Sequence, residues 1–265
     1  MTKLTMEDSG VTTTVASESK LNNSNVIKNL STDQKEILYN IMQLYNDGKP
    51  FDCDMTASSL NFYRNKKNDK YVIPQPKYLF DVYPQSDEIQ KIEPFKRLPL
   101  EDGSIHSIVV DLPFVIAPKT SKSITEPRDG SNIIFNRFAS FYPAEELIEN
   151  IYWWLSECFR VLDDGGIVCW KMQSTVSGGR QVWSAPFSFL VADYLGFYPI
   201  DEFILAAKAR LISASKIKKQ RHARKYTSTF FVFKKDKKLY DKNSILKHLN
   251  NCINQNLENK VWEYK

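Results

Sequence analysis

Apolar residues along this chain occur in short continuous runs and at about every fourth position. The runs predict buried strands, and the fourfold spacing predicts helices. Residues 105–110 form a short apolar run rich in β-branched side chains, typical of a strand buried on both faces. Residues 144–161 carry apolar side chains at about every fourth position, which predicts an amphipathic helix. Further elements are predicted as strands at 78–81, 167–171, 198–205 and 227–233 and a helix at 185–195. Strands that alternate with helices indicate an α/β domain with a mostly parallel sheet.

The ends of the chain differ in composition from its middle. Residues 1–30 are rich in Ser, Thr, Asn and Lys and have little periodic hydrophobicity, so we expect a disordered tail. An amphipathic helix follows and ends at Asp47-Gly48. The predicted domain spans residues 31–236. Residues 237–265 are expected to form a helical extension, because Ile245, Leu249 and Ile253 recur with helical spacing.

Composition bounds the class of protein. The chain has 265 residues and 42% hydrophobic content, enough for one α/β domain with a sizeable core. It contains no apolar stretch near the roughly 20 residues of a membrane span and no secretory pattern at its start. Its four cysteines form no CxxC pair and it has three histidines, so we expect reduced thiols, a cytoplasmic location and no metal site. The oligomeric state stays open.

The most informative polar position follows the strand at 105–110. Asp111 precedes Leu112, Pro113 and Phe114, and in open α/β sheets ligands bind outside the carboxyl ends of the strands. The carboxylate can accept a hydrogen bond from an amine, Pro113 stiffens the backbone, and Phe114 offers a flat face for a planar ring. These groups together suit an exocyclic amino group on a nucleobase. The alternative is a plain turn in which Asp111 bonds its own backbone.

This tetrapeptide resembles the Asp-Pro-Pro-Tyr/Phe motif of the amino-methyltransferases of nucleic acids, with Leu112 at the second position. The flanking segments are similar in order, because Leu98-Pro99-Leu100-Glu101-Asp102-Gly103-Ser104 leads into the strand. Downstream, Arg160-Val161-Leu162-Asp163-Asp164-Gly165-Gly166 follows the helix. The resemblance covers residues 36–235. It implies a Rossmann-like methyltransferase fold, with a mostly parallel sheet and helices on both faces.

The resemblance also implies an activity, which is methyl transfer from S-adenosylmethionine to an exocyclic amine without a metal. Asp111 and the carbonyl of Leu112 would accept the amine hydrogens, next to Pro113, and Phe114 would stack on the base. Asp at the first motif position favours adenine N6 in DNA. An RNA adenine or a DNA cytosine N4 is an alternative target. A further alternative is a methyltransferase-fold protein that has lost catalysis and serves as a nucleic-acid-binding subunit.

The cofactor segment implied by the resemblance is residues 54–59. Family members commonly have a glycine-bearing turn there, whereas this chain has small residues without glycine, which favours the inactive alternative. The resemblance implies that Asp54 lies near the cofactor's amino group, with Thr56 and Ser58 in the same pocket. Asp81, at the next strand end, is the candidate for the ribose hydroxyls. The alternative is that Asp54 and Asp81 cap turns.

The net charge of +5 is modest, but basic residues concentrate before the last predicted strand. No acidic residue occurs between Lys208 and Lys235. A connection between the last two strands often borders the cleft of such a sheet, so it is a candidate phosphate-binding edge. The alternative is a solvated loop. The residues predicted to contact nucleic acid are Lys216, Lys218, Lys219, Arg221 and Arg224.

Overall fold

The computed structural model describes residues 26–117, 119–120, 140–141, 143–177, 179–208 and 222–258. The strands of this part of the chain are β1 (Leu30–Ser31), β2 (Cys53–Asp54), β3 (Tyr78–Asp81), β4 (Gln90–Lys91), β5 (Ile105–Asp111), β6 (Val115–Ile116), β7 (Ser140–Phe141), β8 (Leu162–Met172), β9 (Thr175–Ser177), β10 (Arg180–Val182), β11 (Phe197–Ala206) and β12 (Thr227–Lys235). Its α-helices are α1 (Gln34–Tyr45), α2 (Ala144–Val161), α3 (Ser184–Leu195), α4 (Lys237–Asn243) and α5 (Ile245–Glu258).

Eight strands form one sheet in the order β1-β11-β12-β8-β5-β2-β3-β4. Five neighbouring pairs are parallel, and β12 is antiparallel to both of its neighbours, β8 and β11. Because β12 reverses direction between them, β11 runs the same way as β8. The predicted mostly parallel α/β sheet is therefore confirmed. Two small sheets accompany it, a parallel pair of β6 with β7 and an antiparallel pair of β9 with β10.

Helices cover both faces of the sheet, as the resemblance implies. Successive residues of a strand point to opposite faces, so Ile108 and Val110 join one core cluster and Val109 joins the other. The first cluster contains the apolar stripe of α2 together with residues of α3, and the second contains the buried face of α1. The long run of apolar residues in β5 is explained by burial on both sides.

The turn between α2 and β8 differs from the sequence prediction. The strand was expected to begin at residue 167, but extended pairing begins at Leu162, directly after the helix. The glycines lie within β8, where a bulge interrupts the register with β5. Gly165 has φ +92°, a conformation that favours glycine, and a Cβ on Gly166 would lie 2.8 Å from the carbonyl oxygen of His106. Gly165 therefore permits the left-handed backbone at this point, and Gly166 permits close approach of β8 to β5.

One edge of the sheet collects the polar ends of several strands, and we call it the carboxyl edge. It is formed by the carboxyl ends of β2, β3, β4, β5, β8 and β11, which run in one direction. Asp54, Asp81 and Asp111 are the last residues of β2, β3 and β5. The start of β12 lies at the same edge, so the basic connection 207–226 leaves and re-enters the sheet there.

The start of the predicted domain pairs with the sheet, and the segment after the domain packs against α3. Strand β1 pairs with β11, so the predicted start at residue 31 falls within a strand. Helices α4 and α5 occupy the region predicted as a helical extension. The buried carboxylate of Asp193, at the end of α3, accepts hydrogen bonds from Ser244 Oγ and from the backbone N–H groups of Ile245 and Leu246. Within the described residues, no helix has the length and apolarity to cross a membrane.

Candidate active site

The carboxylate of Asp111 forms an ion pair at the carboxyl edge. Its Oδ2 lies 2.6 Å from Nζ of Lys171, and the side chains are 27% and 13% exposed. Strands β5 and β8 pair Asp111 directly with Lys171, so the register of the sheet creates this contact. The turn alternative, in which Asp111 bonds its own backbone, is therefore not the arrangement that the described residues form.

The ammonium group of Lys171 lies between aromatic rings. Its Nζ is 5.4 Å from the ring centroid of Phe62 and 5.6 Å from that of Phe230. Both rings are buried and belong to the core around α1. A cation over an aromatic face is attracted by the ring quadrupole, so the rings stabilise the ammonium group where it meets Asp111.

The backbone of Asp111 is held as well as its side chain. Its N–H donates to Oγ1 of Thr56 at 2.7 Å, and the Thr56 hydroxyl is 3.2 Å from Oδ1 of Asp54. Oδ2 of Asp54 in turn accepts from the Tyr63 hydroxyl at 2.6 Å. A chain of hydrogen bonds thus links the motif at the end of β5 to the segment predicted to bind the cofactor.

Asp54 is buried behind the turn that it stabilises. It is 1% exposed, and Oδ1 also accepts the backbone N–H of Thr56 at 2.8 Å. Burial raises the pKa of Asp54 to about 7, although the hydrogen bonds from Tyr63 and Thr56 favour its charged form. Burial and the nearby Asp54 raise the pKa of Tyr63. The turn-capping alternative describes Asp54 in this geometry, whereas contact with a cofactor amino group stays a prediction.

Asp81 holds the other side of the same turn. Its Oδ2 accepts the backbone N–H of Ser58 at 2.8 Å, and its Oδ1 accepts that of Tyr83 at 2.6 Å. Burial raises its pKa, against the effect of these two bonds. A carboxylate has about four acceptor positions, so Asp81 retains capacity for ligand hydroxyls. Its predicted role at the ribose stays a prediction.

The turn 58–60 adopts a glycine-like backbone without glycine. Ser58 has φ +46° and Leu60 has φ +59°, both in the left-handed region. This conformation costs an L-residue roughly 1–2 kcal/mol, and it persists where the surroundings impose it. The Asp81 bond to Ser58 is one such restraint. The chain therefore keeps the backbone of a glycine-bearing turn at the position where the resemblance expects one.

The side chain of Ser59, between Ser58 and Leu60, carries a buried hydroxyl without a hydrogen-bond partner among the described residues. Ser59 is 9% exposed, and its Oγ makes no hydrogen bond within the described part of the chain. A buried polar group without a partner is unfavourable, so such an atom indicates a ligand or a water. The unpartnered Ser59 hydroxyl is thus compatible with a polar ligand at this turn, such as the methionine portion of the cofactor.

The rest of the tetrapeptide anchors the motif. Leu112 is 4% exposed and belongs to the core that contains α2, and Phe114 packs against the same core while remaining half-buried. Pro113 is half-buried between them. Strand β6 begins directly after Phe114 and pairs with β7. Phe114 thus follows the end of β5 by three residues, and its ring packs against the core that contains α2.

The basic connection is described only at its ends. Lys216, Lys218, Lys219 and Arg221 lie outside the described residues, and Arg224 is exposed just before β12. The buried Gln173 holds the start of β12, because its Nε2 donates to the carbonyl oxygen of Thr227 at 2.7 Å.

Three side chains of this arrangement were not among the site residues predicted from the sequence. Phe62, Tyr63 and Lys171 reach the strand ends from a loop and from β8. Only Lys171 left a signal, as a charged residue at the end of an apolar strand run. Among the described residues, no group of His, Cys, Asp or Glu could hold a metal ion.

Comparison with known proteins gives one family match. Residues 105–265 match the model of a family described as DNA methylase. The match begins at the strand that ends in Asp111 and does not include residues 54–60. A search of curated proteins found no match.

Several solved structures are similar over part of the chain. One is a proposed DNA modification methylase from Thermus thermophilus in complex with S-adenosyl-L-methionine, with TM-score 0.34, 14% identity and coverage of 52% of this chain and 48% of that one. Another is a proposed methyltransferase in complex with the Haloferax volcanii Trm112 methyltransferase activator, with TM-score 0.39, 12% identity and coverage of 71% and 84%. A SAM-dependent methyltransferase from Methanosarcina mazei has TM-score 0.33, 10% identity and coverage of 69% and 80%. The chain spans about half the length of the Thermus protein.

Proposed function

This chain belongs to the DNA methylase family, and from that premise we propose that it transfers a methyl group from S-adenosylmethionine to adenine N6 in DNA. The observation that carries the proposal is the fixed carboxylate of Asp111 at the carboxyl edge. Its backbone is held by Thr56 and its side chain by Lys171, so one acceptor is oriented before any substrate arrives. Preorganised acceptors cost no reorganisation during reaction.

The target amine is a weak nucleophile, because its lone pair is delocalised into the base. Asp111 accepts one amine hydrogen and the carbonyl of Leu112 accepts the other, which localises the lone pair on nitrogen. The same contacts stabilise the positive charge that develops as the N–C bond forms. A bound S-adenosylmethionine would supply the methyl group and keep the electron pair of its C–S bond on sulfur, and the methylated amine would lose its extra proton to solvent.

The base must leave the stack to reach this edge. Flipping a nucleotide costs a few kcal/mol in duplex DNA, and less where the base is mismatched or unpaired. Phe114 stacks on the extruded ring, which is typically worth about 1–3 kcal/mol. Its half-buried position beside Asp111 in the chain supports this role.

The cofactor is assigned to the turn 54–60. When bound, S-adenosylmethionine supplies an electrophilic methyl group from its sulfonium. Ser59 Oγ and the backbone of the turn offer polar contacts, and Asp81 offers acceptors for hydroxyl groups. Thr56 acts between the two sites, because its hydroxyl contacts both Asp54 and the backbone of Asp111.

The choice of adenine N6 rests on Asp at the first motif position. Cytosine N4 and RNA adenine present the same kind of amine and are tested in parallel. The cytoplasmic location expected from the cysteines stays a prediction.

A second candidate function is a nucleic-acid-binding subunit without catalysis. The observation that favours it is the absence of glycine at Ser58 and Leu60, which leaves side chains where a cofactor would approach. Titration calorimetry with S-adenosylmethionine separates the two candidates, because the inactive subunit would release no binding heat.

The test of activity uses a labelled methyl donor with DNA and, in parallel, with RNA, followed by nucleoside analysis. We expect N6-methyladenine from the wild type and a rate lower by roughly 100- to 1000-fold, but still measurable, from Asp111→Ala, whose thermal unfolding should remain cooperative. N4-methylcytosine alone would transfer the assignment to the other amine. Undiminished methylation by Asp111→Ala would refute the mechanism.

A further inference from the structure

A hairpin at the carboxyl edge contacts the strand that follows the tetrapeptide and leads to an exposed tryptophan. Strands β9 and β10 follow β8, and β9 packs beside β6, which begins directly after Phe114. The hairpin leads into α3, and Trp183 is the N-cap residue of that helix. Its side chain makes no capping hydrogen bond, so capping does not explain its presence.

Trp183 is more exposed than the other tryptophans of the described residues. It is 62% exposed, whereas Trp154 and Trp170 are 3% and 0% exposed. An exposed indole leaves a large apolar face in water, and such faces commonly mark binding sites.

Basic residues from a second segment meet this tryptophan. Nζ of Lys225 is 5.6 Å from the ring centroid of Trp183. His222 joins the two segments, because its Nε2 lies 2.7 Å from the carbonyl oxygen of Gly179. The segment before β12 is therefore held against the hairpin, and the cation of one segment lies over the ring of the other.

The two segments that meet at the ring carry basic residues and no acidic ones. Arg180 and Arg224 are exposed on the two segments. No acidic residue occurs in 172–192 or in 207–235. A flat aromatic face flanked by cations from two segments suits a polyanion that carries planar rings. Single-stranded nucleic acid has this chemistry, since phosphates contact Arg and Lys and bases stack on aromatic side chains.

We propose that Trp183, Arg180, Arg224 and Lys225 form a surface that holds unpaired DNA beside the motif, with Trp183 stacking on a base. The proposal rests on the proposed function for the identity of the nucleic acid. It adds a contact outside the tetrapeptide, where the strand that flanks an extruded base would lie. A competing occupant is a protein, because an apolar groove of about 250 Å³ adjoins Trp183.

The test is fluorescence anisotropy with a labelled single-stranded oligodeoxynucleotide. We expect Trp183→Ala to weaken binding roughly five- to a hundredfold, because one base stack is lost, and Trp183→Phe to retain most of the affinity. The matched control is Tyr194→Ala. Tyr194 is 68% exposed near the opposite end of α3, roughly 16 Å away at 1.5 Å per residue, and its loss should leave binding unchanged.

The salt dependence tests the cations. Each phosphate contact on a single strand contributes about −0.7 to the slope of log K against log salt. Arg180→Gln and Arg224→Gln should each flatten the slope by about that amount. Unchanged affinity in Trp183→Ala would overturn the proposal, and so would an equal loss in Tyr194→Ala. Self-association that Trp183→Ala abolishes, with DNA affinity unchanged, would assign the surface to a protein contact instead.

Binding and methyl transfer fail independently in this design. A wild type that binds through Trp183 but transfers no methyl group would refute the proposed function and leave the surface standing. A wild type that transfers methyl groups but whose DNA affinity does not change in Trp183→Ala would support the proposed function and refute the surface.

Discussion

Lys171 Nζ lies 2.6 Å from Asp111 Oδ2, and the two residues are paired in register on adjacent parallel strands. The proposed acceptor of the target amine is thus already bonded to a cation. One carboxylate oxygen is engaged, and the orientation of the other follows from the plane of the group. Lys171 would therefore act through Asp111, as a positioning residue.

Lys171→Met should lower kcat roughly 10- to 100-fold, with little change in cofactor affinity, because the carboxylate would lose its fixed orientation. Lys171→Arg should recover part of the rate, since a guanidinium can bond the same oxygen. Steady-state kinetics with DNA and calorimetry with S-adenosylmethionine measure the two effects separately.

A double-mutant cycle separates positioning from direct contact with DNA. If Lys171 acts only through Asp111, the rate of the double variant Asp111→Ala/Lys171→Met equals that of Asp111→Ala alone. A further loss in the double variant would show that Lys171 has a role of its own. A faster Lys171→Met enzyme would show that the ion pair restrains Asp111.

Asp54 should make stability depend on pH below neutrality. Its folded pKa of about 7 exceeds the unfolded value, so the folded state binds more protons between pH 4 and 7. The contribution of protonated Asp54 to the unfolding free energy is fully present below the unfolded pKa. It is lost as pH rises through the folded pKa, and the total loss is on the order of 4 kcal/mol. Asp81 changes in the same direction and adds to the slope.

Asp54→Asn isolates this contribution. The amide keeps an acceptor for the Thr56 N–H but does not titrate, so its unfolding free energy should vary less between pH 4 and 7 than that of the wild type. Urea unfolding at several pH values measures the difference. Parallel pH profiles for the two proteins would mean that Asp54 stays charged in the fold.

Arg160 should contribute more to stability than the exposed acid beside it. Its guanidinium bonds both carboxylate oxygens of buried Glu157 and the carbonyl oxygens of Leu98 and Leu100. Arg160→Ala leaves the Glu157 charge unpaired and should cost about 3 kcal/mol of unfolding free energy.

Asp102→Ala is the matched control, because Asp102 pairs with the same Arg160 but its side chain is 71% exposed. Its loss should cost much less than that of Arg160, because water and salt screen an exposed ion pair. Equal costs for the two variants, measured by urea unfolding, would contradict the importance of burial.

The pattern of apolar residues was sufficient to predict the central strands. Tyr78–Asp81 was predicted with its observed bounds, and the acid at the end of β5 lies where the strand pattern put it. Both are local consequences of burial on two faces. Strand β1 was missed because it has two residues and Leu30 is 59% exposed, so no apolar pattern marks it.

The parts of the site that escaped prediction depend on contacts distant in sequence. The pairing of Lys171 with Asp111 requires the register of β5 with β8, which no local preference specifies. The backbone at Ser58 and Leu60 runs against the local preference of those residues, and tertiary bonds such as that from Asp81 override it. The resemblance suggested a cofactor turn at residues 54–59. The absence of glycine in that segment argued against a left-handed backbone, which Ser58 nevertheless has.

Ser58→Gly should stabilise the fold, because Ser58 holds φ +46° and glycine adopts this conformation without steric cost. The gain should be up to about 1 kcal/mol, since relief of left-handed strain is partly offset by the greater freedom of unfolded glycine. The Ser58 backbone N–H still donates to Asp81 in this variant. Ser58→Ala is the matched control, because alanine also loses the hydroxyl but keeps the Cβ. Urea unfolding should therefore show a gain for glycine and none for alanine. If both variants gain equally, the hydroxyl rather than the backbone is the source of the cost, and the turn is not strained at this position.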